Sequence, residues 1–412
     1  MYRGVFLKAE KARPRLLVFT TLFPHAGQPH AGVFIRERMF RVGQVLPLVV
    51  VAPVPWFPLQ GLIRLVRPHF RLPALYHEVQ EGFDVFHPRF FSIPGVFKAW
   101  DGFFMALGSY RLMARLKRQR GFDIIDAHFA YPDGYAGILL GKWLGVPVTI
   151  TLRGTEVPLS KYSGRRRRIV LALQAAVRVF SVSSSLKRHA ESLGVESAKI
   201  RVVGNGVDAK KFYPLLQSEA RNNLKLPEDA PLLISVGALV ERKGFHRVIS
   251  CLPRLREKYP GLQYLIVGGA GPEGDMSRQL RQQVRDLYLE GCVSFLGKMP
   301  AESLKIPLSA ADVFVLATRN EGWANVFLEA MACGLPVVTT DVGGNVEVVN
   351  NPGLGTIVPF GNEELLCEAI ADALSKKWDR GAIAAHARDN SWEDRVRTLT
   401  GEFERIAGAA SI

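Results

Sequence analysis

Short apolar runs recur along the chain, each closed by glycine, proline or a polar cluster and followed by a stretch with helical spacing. That alternation predicts strands joined by helices, the pattern of a parallel sheet covered on both faces. The predicted strands are 15–20, 48–52, 123–128, 146–152, 177–183 and 200–203. After the turn Gly204-Asn205-Gly206 the pattern restarts with strands at 232–236, 263–268, 292–296, 313–316 and 337–340. Helical spacing covers 32–42, 103–117, 365–376 and 392–406, and Gly134 leads into a further helix. The span 53–100, rich in proline and aromatics and without a clear period, reads as a loop-rich insertion. Two restarts of one pattern predict two doubly wound, Rossmann-like α/β domains, 1–205 and 206–390, and 412 residues with 48% hydrophobic content suit two buried cores.

The most informative stretch is 319–336, Arg-Asn-Glu-Gly-Trp-Ala-Asn-Val-Phe-Leu-Glu-Ala-Met-Ala-Cys-Gly-Leu-Pro. It lies between the strands 313–316 and 337–340, so it reads as a polar loop followed by a short helix. Asn325 is a good capping type, and a helix starting near it leaves Glu321 on the loop and Glu329 one turn inside. Free backbone N–H groups near Gly322, Trp323, Asn325 and Val326 would then point at an anion such as a diphosphate. Two solvated glutamates on a surface helix are the plain alternative. The nearly charge-free continuation Ala330-Met331-Ala332-Cys333 argues for a mostly buried helix.

Glu321 and Glu329 with seven residues between them, then Ala-Met-Ala-Cys-Gly-Leu-Pro-Val-Val and Asp341-Val-Gly-Gly-Asn-Val-Glu347, resemble the signature of the family-4, retaining GT-B glycosyltransferases. The resemblance implies two domains facing a central cleft, a nucleotide-sugar donor on the second and an acceptor on the first. It also implies a last helix, about 391–407, packed back on the first domain. It assigns Glu321 to the donor sugar, Glu329 to the ribose, and Lys243 with the 322–326 amides to the diphosphate, without an essential metal. The sequence itself offers no Asp-x-Asp motif or His/Cys cluster for one. The strand 232–236 delivers Gly237 to its carboxyl end, and Lys243-Gly244 opens the next helix, where a lysine reaches an anion at a helix N-terminus. Ala238 stands where the family carries an arginine, and Arg242 is the candidate replacement.

In the first half, Gly32 opens a helix after the glycine- and proline-bearing loop 21–31, and the resemblance makes it an acceptor contact. His128 ends a strand before Tyr131-Pro132-Asp133-Gly134, a pattern similar to a polysaccharide-building branch of the family in which the histidine lies near the reacting sugar. Arg153-Gly154-Thr155-Glu156 resembles a further family motif. Its arginine is expected either to bind the acceptor or a phosphate, or to pair with Glu156.

Charge adds an anionic partner. Residues 1–205 carry 30 Lys+Arg against 12 Asp+Glu, a net +18, whereas 206–412 carry 23 against 26, a net −3, together the overall +15. With Arg165–Arg168 on one helix, an acidic membrane surface or a lipid-linked glycan or glycolipid acceptor is the expected partner, and nucleic acid is not, because no aromatics alternate with the charges. The apolar window 45–63 is interrupted by Pro53, Pro55 and Pro58, and Met1–Lys8 lacks the order of a signal peptide, so the expected setting is cytoplasmic, peripheral on the inner membrane face. Four scattered cysteines without metal spacing are expected to be reduced. Two rival readings stay open. Gly269-x-Gly271-x-x-Gly274 satisfies the dinucleotide fingerprint of an NAD(P)-dependent oxidoreductase, and the basic half alone would suit a non-catalytic membrane-binding module.

Overall fold

A computed structural model describes residues 13–29, 31–66, 70–271 and 273–410. The N-terminal segment on which the signal-peptide expectation rests lies outside the described residues. The chain divides into two compact units: residues 1–181, 187–203 and 396–412, and residues 182–186 and 204–395.

Among the described residues the first unit holds ten strands: β1 Leu16–Phe19, β2 Leu48–Val51, β3 Val54–Trp56, β4 His77–Gln80, β5 Phe83–Phe86, β6 Arg89–Phe91, β7 Ile124–His128, β8 Val148–Leu152, β9 Arg178–Ser181 and β10 Ile200–Val202. Eight form one sheet in the order β10-β9-β8-β7-β1-β2-β5-β4, parallel except for the edge strand β4. Covered on both faces, β1, β7 and β8 are buried at every position, so the polar groups they carry, such as Asp126, His128 and Thr149, must find partners inside. β3 and β6 pair separately as a small parallel ribbon.

The span 53–100 is therefore not a loop-rich insertion. It contributes four strands and the helix Gln60–Val66. These strands are three or four residues long, and Pro55 lies inside β3, so neither period nor propensity marks them.

The second unit carries β11 Leu232–Val236, β12 Gln263–Val267, β13 Val293–Gly297, β14 Val313–Leu316, β15 Val337–Thr340 and β16 Gly355–Val358. They make one parallel sheet in the order β13-β12-β11-β14-β15-β16. In both units the strand order reverses beside the first strand, between β1 and β7 and between β11 and β14. At such a switch point adjacent crossovers leave in opposite directions and open a crevice at the carboxyl ends.

The four cysteines are free and buried. The last helix, Trp392–Ala410, returns to the first unit, where Val396, Leu399 and Phe403 join a core with Phe180 and Val203. Phe403 is fully buried, its ring 5.5 Å from that of Phe180 at a 71° tilt. Phe403→Ala is expected to destabilise the first unit by about 3–5 kcal/mol through lost burial and a residual cavity. Denaturant unfolding measures this, and a loss below about 1 kcal/mol would show that the helix is not part of that core.

Candidate functional site

In the second unit the switch point gathers three charged side chains. β11 ends at Gly237, and the chain turns through Glu241–Lys243 into the helix Phe245–Lys258. Gly244, at φ 77°, makes the turn possible, because a Cβ there would stand 1.9 Å from the Ala317 carbonyl oxygen just past β14. The loop after β14 is laced to the same turn: the Arg319 N–H donates to the Arg242 carbonyl at 2.7 Å, and the Thr318 hydroxyl at 2.9 Å. Backbone contacts therefore hold the two loops in register. They bring Lys243 Nζ and Arg242 Nη1 to the same oxygen, Oε1 of Glu321, the latter at 3.2 Å.

Arg242 also donates through Nε to both oxygens of Glu273, at 2.7 and 2.8 Å. Burial alone would lower the Arg242 pKa, but Glu321 and Glu273 outweigh it and the net shift is upward. Glu321 is itself nearly buried, with its side chain 9% exposed. Its main chain is clasped by the Asp341–Gly344 loop: Gly343 sits at φ 55°, and a Cβ there would meet the Glu321 carbonyl oxygen at 1.7 Å. The site thus balances two cations against two carboxylates in a half-desolvated crevice. An anion entering beside Lys243 competes with Glu321 for the same donors.

The helix after this loop runs from Asn325 to Ala332. Asn325 is its first residue and not its cap. The cap position is Ala324, no side chain caps the N-terminus, and Asn325 Oδ1 instead accepts from Asn205 at 2.9 Å. Val326 and Glu329 follow, both half-buried, with Glu329 one turn inside. The Trp323 ring covers Gly204, where a Cβ would lie 2.7 Å from it, and the Gly322 carbonyl lies as close to Gly344. Gly237 leaves room for the Lys243 side chain, and Gly269 lies under Lys298. Gly271 and Gly274 bond each other across a hairpin, and the next helix begins only at Ser277. In a dinucleotide fingerprint these glycines would open the helix directly, so this loop lacks that geometry.

At the switch point of the first unit a second cluster forms. His128, at the end of β7, is fully buried, and its Nδ1 accepts from Arg153 Nε at 3.2 Å and Nη2 at 3.0 Å. Arginine only donates, so the ring is neutral with its proton on Nε2. Burial pushes the His128 pKa down to about 4, helped by Arg153 and Arg38 and opposed by Asp126, whose Oδ2 lies 3.2 Å from Nε2. That contact misses hydrogen-bond geometry, and the other oxygen of Asp126, Oδ1, accepts from the Thr149 hydroxyl at 2.7 Å. The buried histidine exposes no atom to a ligand. It positions Arg153, whose guanidinium also lies over the Phe34 ring at 5.1 Å.

Glu156 holds Arg153 through its main-chain N–H, and its charge also acts on the guanidinium. Glu156 is buried and accepts main-chain N–H groups of Ala130 (3.0 Å), Gly154 (2.7 Å) and Arg153 (3.3 Å), tying the loops after β7 and β8 together. Gly32, at φ 68°, is demanded by the Leu22 carbonyl, 2.1 Å from where a Cβ would stand.

Sequence reasoning passed over Asp133 and Thr21. The Asp133 carboxyl is buried and receives both the N–H and the hydroxyl of Thr21 from the loop after β1. Burial raises its pKa to about 7, with Glu156 adding and the Thr21 hydrogen bonds opposing. The Tyr-Pro-Asp-Gly turn was the available signal. Which strand's loop it meets depends on strand order, and no local pattern carries that.

Residues 217–390 match the family model described as Glycosyl transferases group 1, and residues 88–211 the one described as Glycosyltransferase Family 4. The chain is 27% identical over 410 residues to a putative teichuronic acid biosynthesis glycosyltransferase, TuaC, of Bacillus subtilis, covering 97% of each chain. It is 29% identical over 287 residues to a GDP-mannose-dependent alpha-(1-6)-phosphatidylinositol monomannoside mannosyltransferase of Mycolicibacterium smegmatis, covering 62% of this chain and 73% of that one. Among solved structures, a sucrose-phosphate synthase of Thermosynechococcus elongatus superposes with a TM-score of 0.77 at 20% identity, over 96% of this chain and 100% of that one. HepE of Anabaena, solved in complex with UDP, gives 0.71 at 19% identity, over 94% and 99%. With the two parallel-sheet units and their switch-point clusters, these matches identify the chain as a member of the family-4 glycosyltransferases with the GT-B fold.

Proposed function

We propose that this glycosyltransferase moves a sugar from a UDP- or GDP-sugar, with retention of anomeric configuration, to a glycan acceptor carried on a lipid. The observation that carries the reading is the convergence of Lys243 and Arg242 on one oxygen of Glu321. A donor diphosphate brings its own negative charge to these cations and takes over their hydrogen bonds. Charge-assisted bonds of this kind are the strong ones, and they strengthen further as charge builds on the departing diphosphate. Glu321, released from Lys243, is then free to take the hydroxyls of the donor sugar. Arg242 stands in for the arginine absent at Ala238, since its guanidinium already shares the target of Lys243. Glu329, one turn into the helix, is assigned to the nucleotide ribose, and Gly237, Gly269, Gly322, Trp323, Asn325 and Val326 to the walls of the donor site.

The two cations supply the charge that the diphosphate needs, so the reading invokes no metal. The acceptor is assigned to the first unit, at Arg153 and Gly32, with His128 as a positioning residue for Arg153. The teichuronic acid and phosphatidylinositol mannoside relatives favour a polysaccharide or glycolipid acceptor, and the +18 of the first half favours one presented at an anionic membrane face. Among the described residues no helix is long and apolar enough to cross a membrane.

Two outcomes are expected. Proton NMR of the product should show the anomeric configuration of the donor, and Glu321→Gln should cut its formation roughly a hundredfold or more while the far-UV circular dichroism stays that of the folded chain. Inverted product or near-normal turnover in the variant would overturn the assignment. The second outcome concerns Asp133, whose folded pKa of about 7 lies above the model-peptide 3.8, so the folded state holds the extra proton and stability falls as pH rises between those values. His128, depressed from 6.5 to about 4, acts in the opposite sense over an overlapping window, losing stability as pH falls. The informative quantity is the difference between wild type and Asp133→Asn: the variant should gain relative stability from pH 4 to pH 7, and a flat difference would contradict a buried, protonated Asp133.

A further inference from the structure

Beside the Thr21–Asp133 contact the first unit contains a cavity of about 260 Å³, walled by the β3–β6 ribbon and the segment around the helix Gln60–Val66. Arg64, Arg71 and Arg89 line it with Trp56 and Phe57, and among the described residues no carboxylate does. Two of the guanidiniums are fixed in place. Arg64 donates Nε and Nη2 to the carbonyls of Phe70 and Arg71, at 3.2 and 2.8 Å. Arg71 donates Nη1 to the Ser92 carbonyl at 2.6 Å and lies against the Phe57 and Phe70 rings, at 5.7 and 5.6 Å. Arg64 Nη1, Arg71 Nε and Nη2, and the exposed Arg89 have no partner among the described residues. Of these three like charges Arg71 feels a nearby carboxylate, that of Asp101, which does not line the cavity, so the site favours an added anion, and planar forks with free N–H groups suit a phosphate.

The helix over this cavity is inverted relative to an ordinary surface helix. Its polar residues face inward: Gln60 is buried, and Arg64, four residues on, is half-buried. Leu59, Leu62, Leu65 and Val66 are instead 60–85% exposed. Within the helix, positions 62, 65 and 66 follow the i, i+3, i+4 spacing of one face, so the apolar stripe points to solvent, with Leu59 in the turn just before it. Leu59 belongs to both surfaces, because it also lines the cavity. An oxyanion-binding cavity that runs directly into an apolar stripe has the layout of an amphiphile, charged head inside and hydrocarbon outside.

We infer that this cavity and helix face seat the lipid carrier of the acceptor, its phosphate among Arg64, Arg71 and Arg89 and its hydrocarbon chain along Leu59, Leu62, Leu65 and Val66. The inference rests on the lipid-carried acceptor proposed above and adds where the carrier binds and by what chemistry. Thr21 connects the two sites, lining the cavity while holding Asp133 at the sheet edge.

The test is flotation of the full chain with phosphatidylcholine vesicles doped either with polyprenyl diphosphate or with phosphatidylglycerol at matched surface charge. Titration of UDP and GDP into the same preparations reads the second unit. The wild type should hold to the polyprenyl diphosphate vesicles about tenfold more tightly than to the matched anionic ones, a difference of about 1.4 kcal/mol. Arg89→Gln and Leu62→Ser/Leu65→Ser alter exposed side chains only, and each should remove that preference while nucleotide binding is unchanged. Equal binding to both vesicles by the wild type would reduce the site to bulk surface attraction and overturn the inference, as would a preference that survives both variants. Loss of nucleotide binding with the vesicle preference intact would count against the transferase reading and not against the carrier site.

Discussion

The second unit is arranged around one electrostatic constraint: two cations and a carboxylate must share a half-desolvated crevice at the point where the strand order reverses. Lys243 and Arg242 reach Glu321 only because Gly244 lets its turn lie against the Ala317 carbonyl, and because the Arg242 carbonyl accepts from Thr318 and Arg319. Removing a charge from such a set leaves the others uncompensated in low dielectric, which costs far more than a surface pair is worth. The glycines at 244, 343 and 344 are the backbone's share of the same arrangement. Each marks a place where a carbonyl of a neighbouring loop occupies the space of a side chain.

The first unit meets the equivalent problem by burial. His128 is kept neutral and gives its free ring nitrogen to Arg153, while Glu156 spends its oxygens on three main-chain N–H groups. The charged groups are thus used to set loop geometry, and Arg153, half-buried beside His128, is the most exposed of them. A buried Asp133 whose pKa is raised by burial toward neutrality belongs to this pattern, since ionising a carboxyl in an apolar site carries a desolvation cost.

Much of this was legible in the sequence, for identifiable reasons. β14 and β15 have the bounds their apolar runs predict, because strands buried on both faces are continuous hydrophobic runs flanked by breakers. Glu321 stood out on a polar loop opening a short helix and Lys243 beside Gly244 at a helix start, whereas Arg242 was marked only through the resemblance, as the replacement for the arginine absent at Ala238. Three features were not legible. The strands within 53–100 are too short for their alternation to register, and Pro55 argues against one of them. Asn325 reads as a cap, yet its side chain is drawn to Asn205, 120 residues away in sequence. Asp133 meets Thr21 only because β7 and β1 are neighbours, and strand order is a property of the whole sheet.

The central claim is that Lys243 and Arg242 form a diphosphate site held in reserve by Glu321. Calorimetric titration of UDP, GDP and ADP into the wild-type chain and Lys243→Ala tests it directly. The account predicts that one of the three nucleotides binds the wild type and loses about tenfold or more in affinity in the variant, the worth of one charge-assisted contact. An affinity that is the same in both proteins would contradict it.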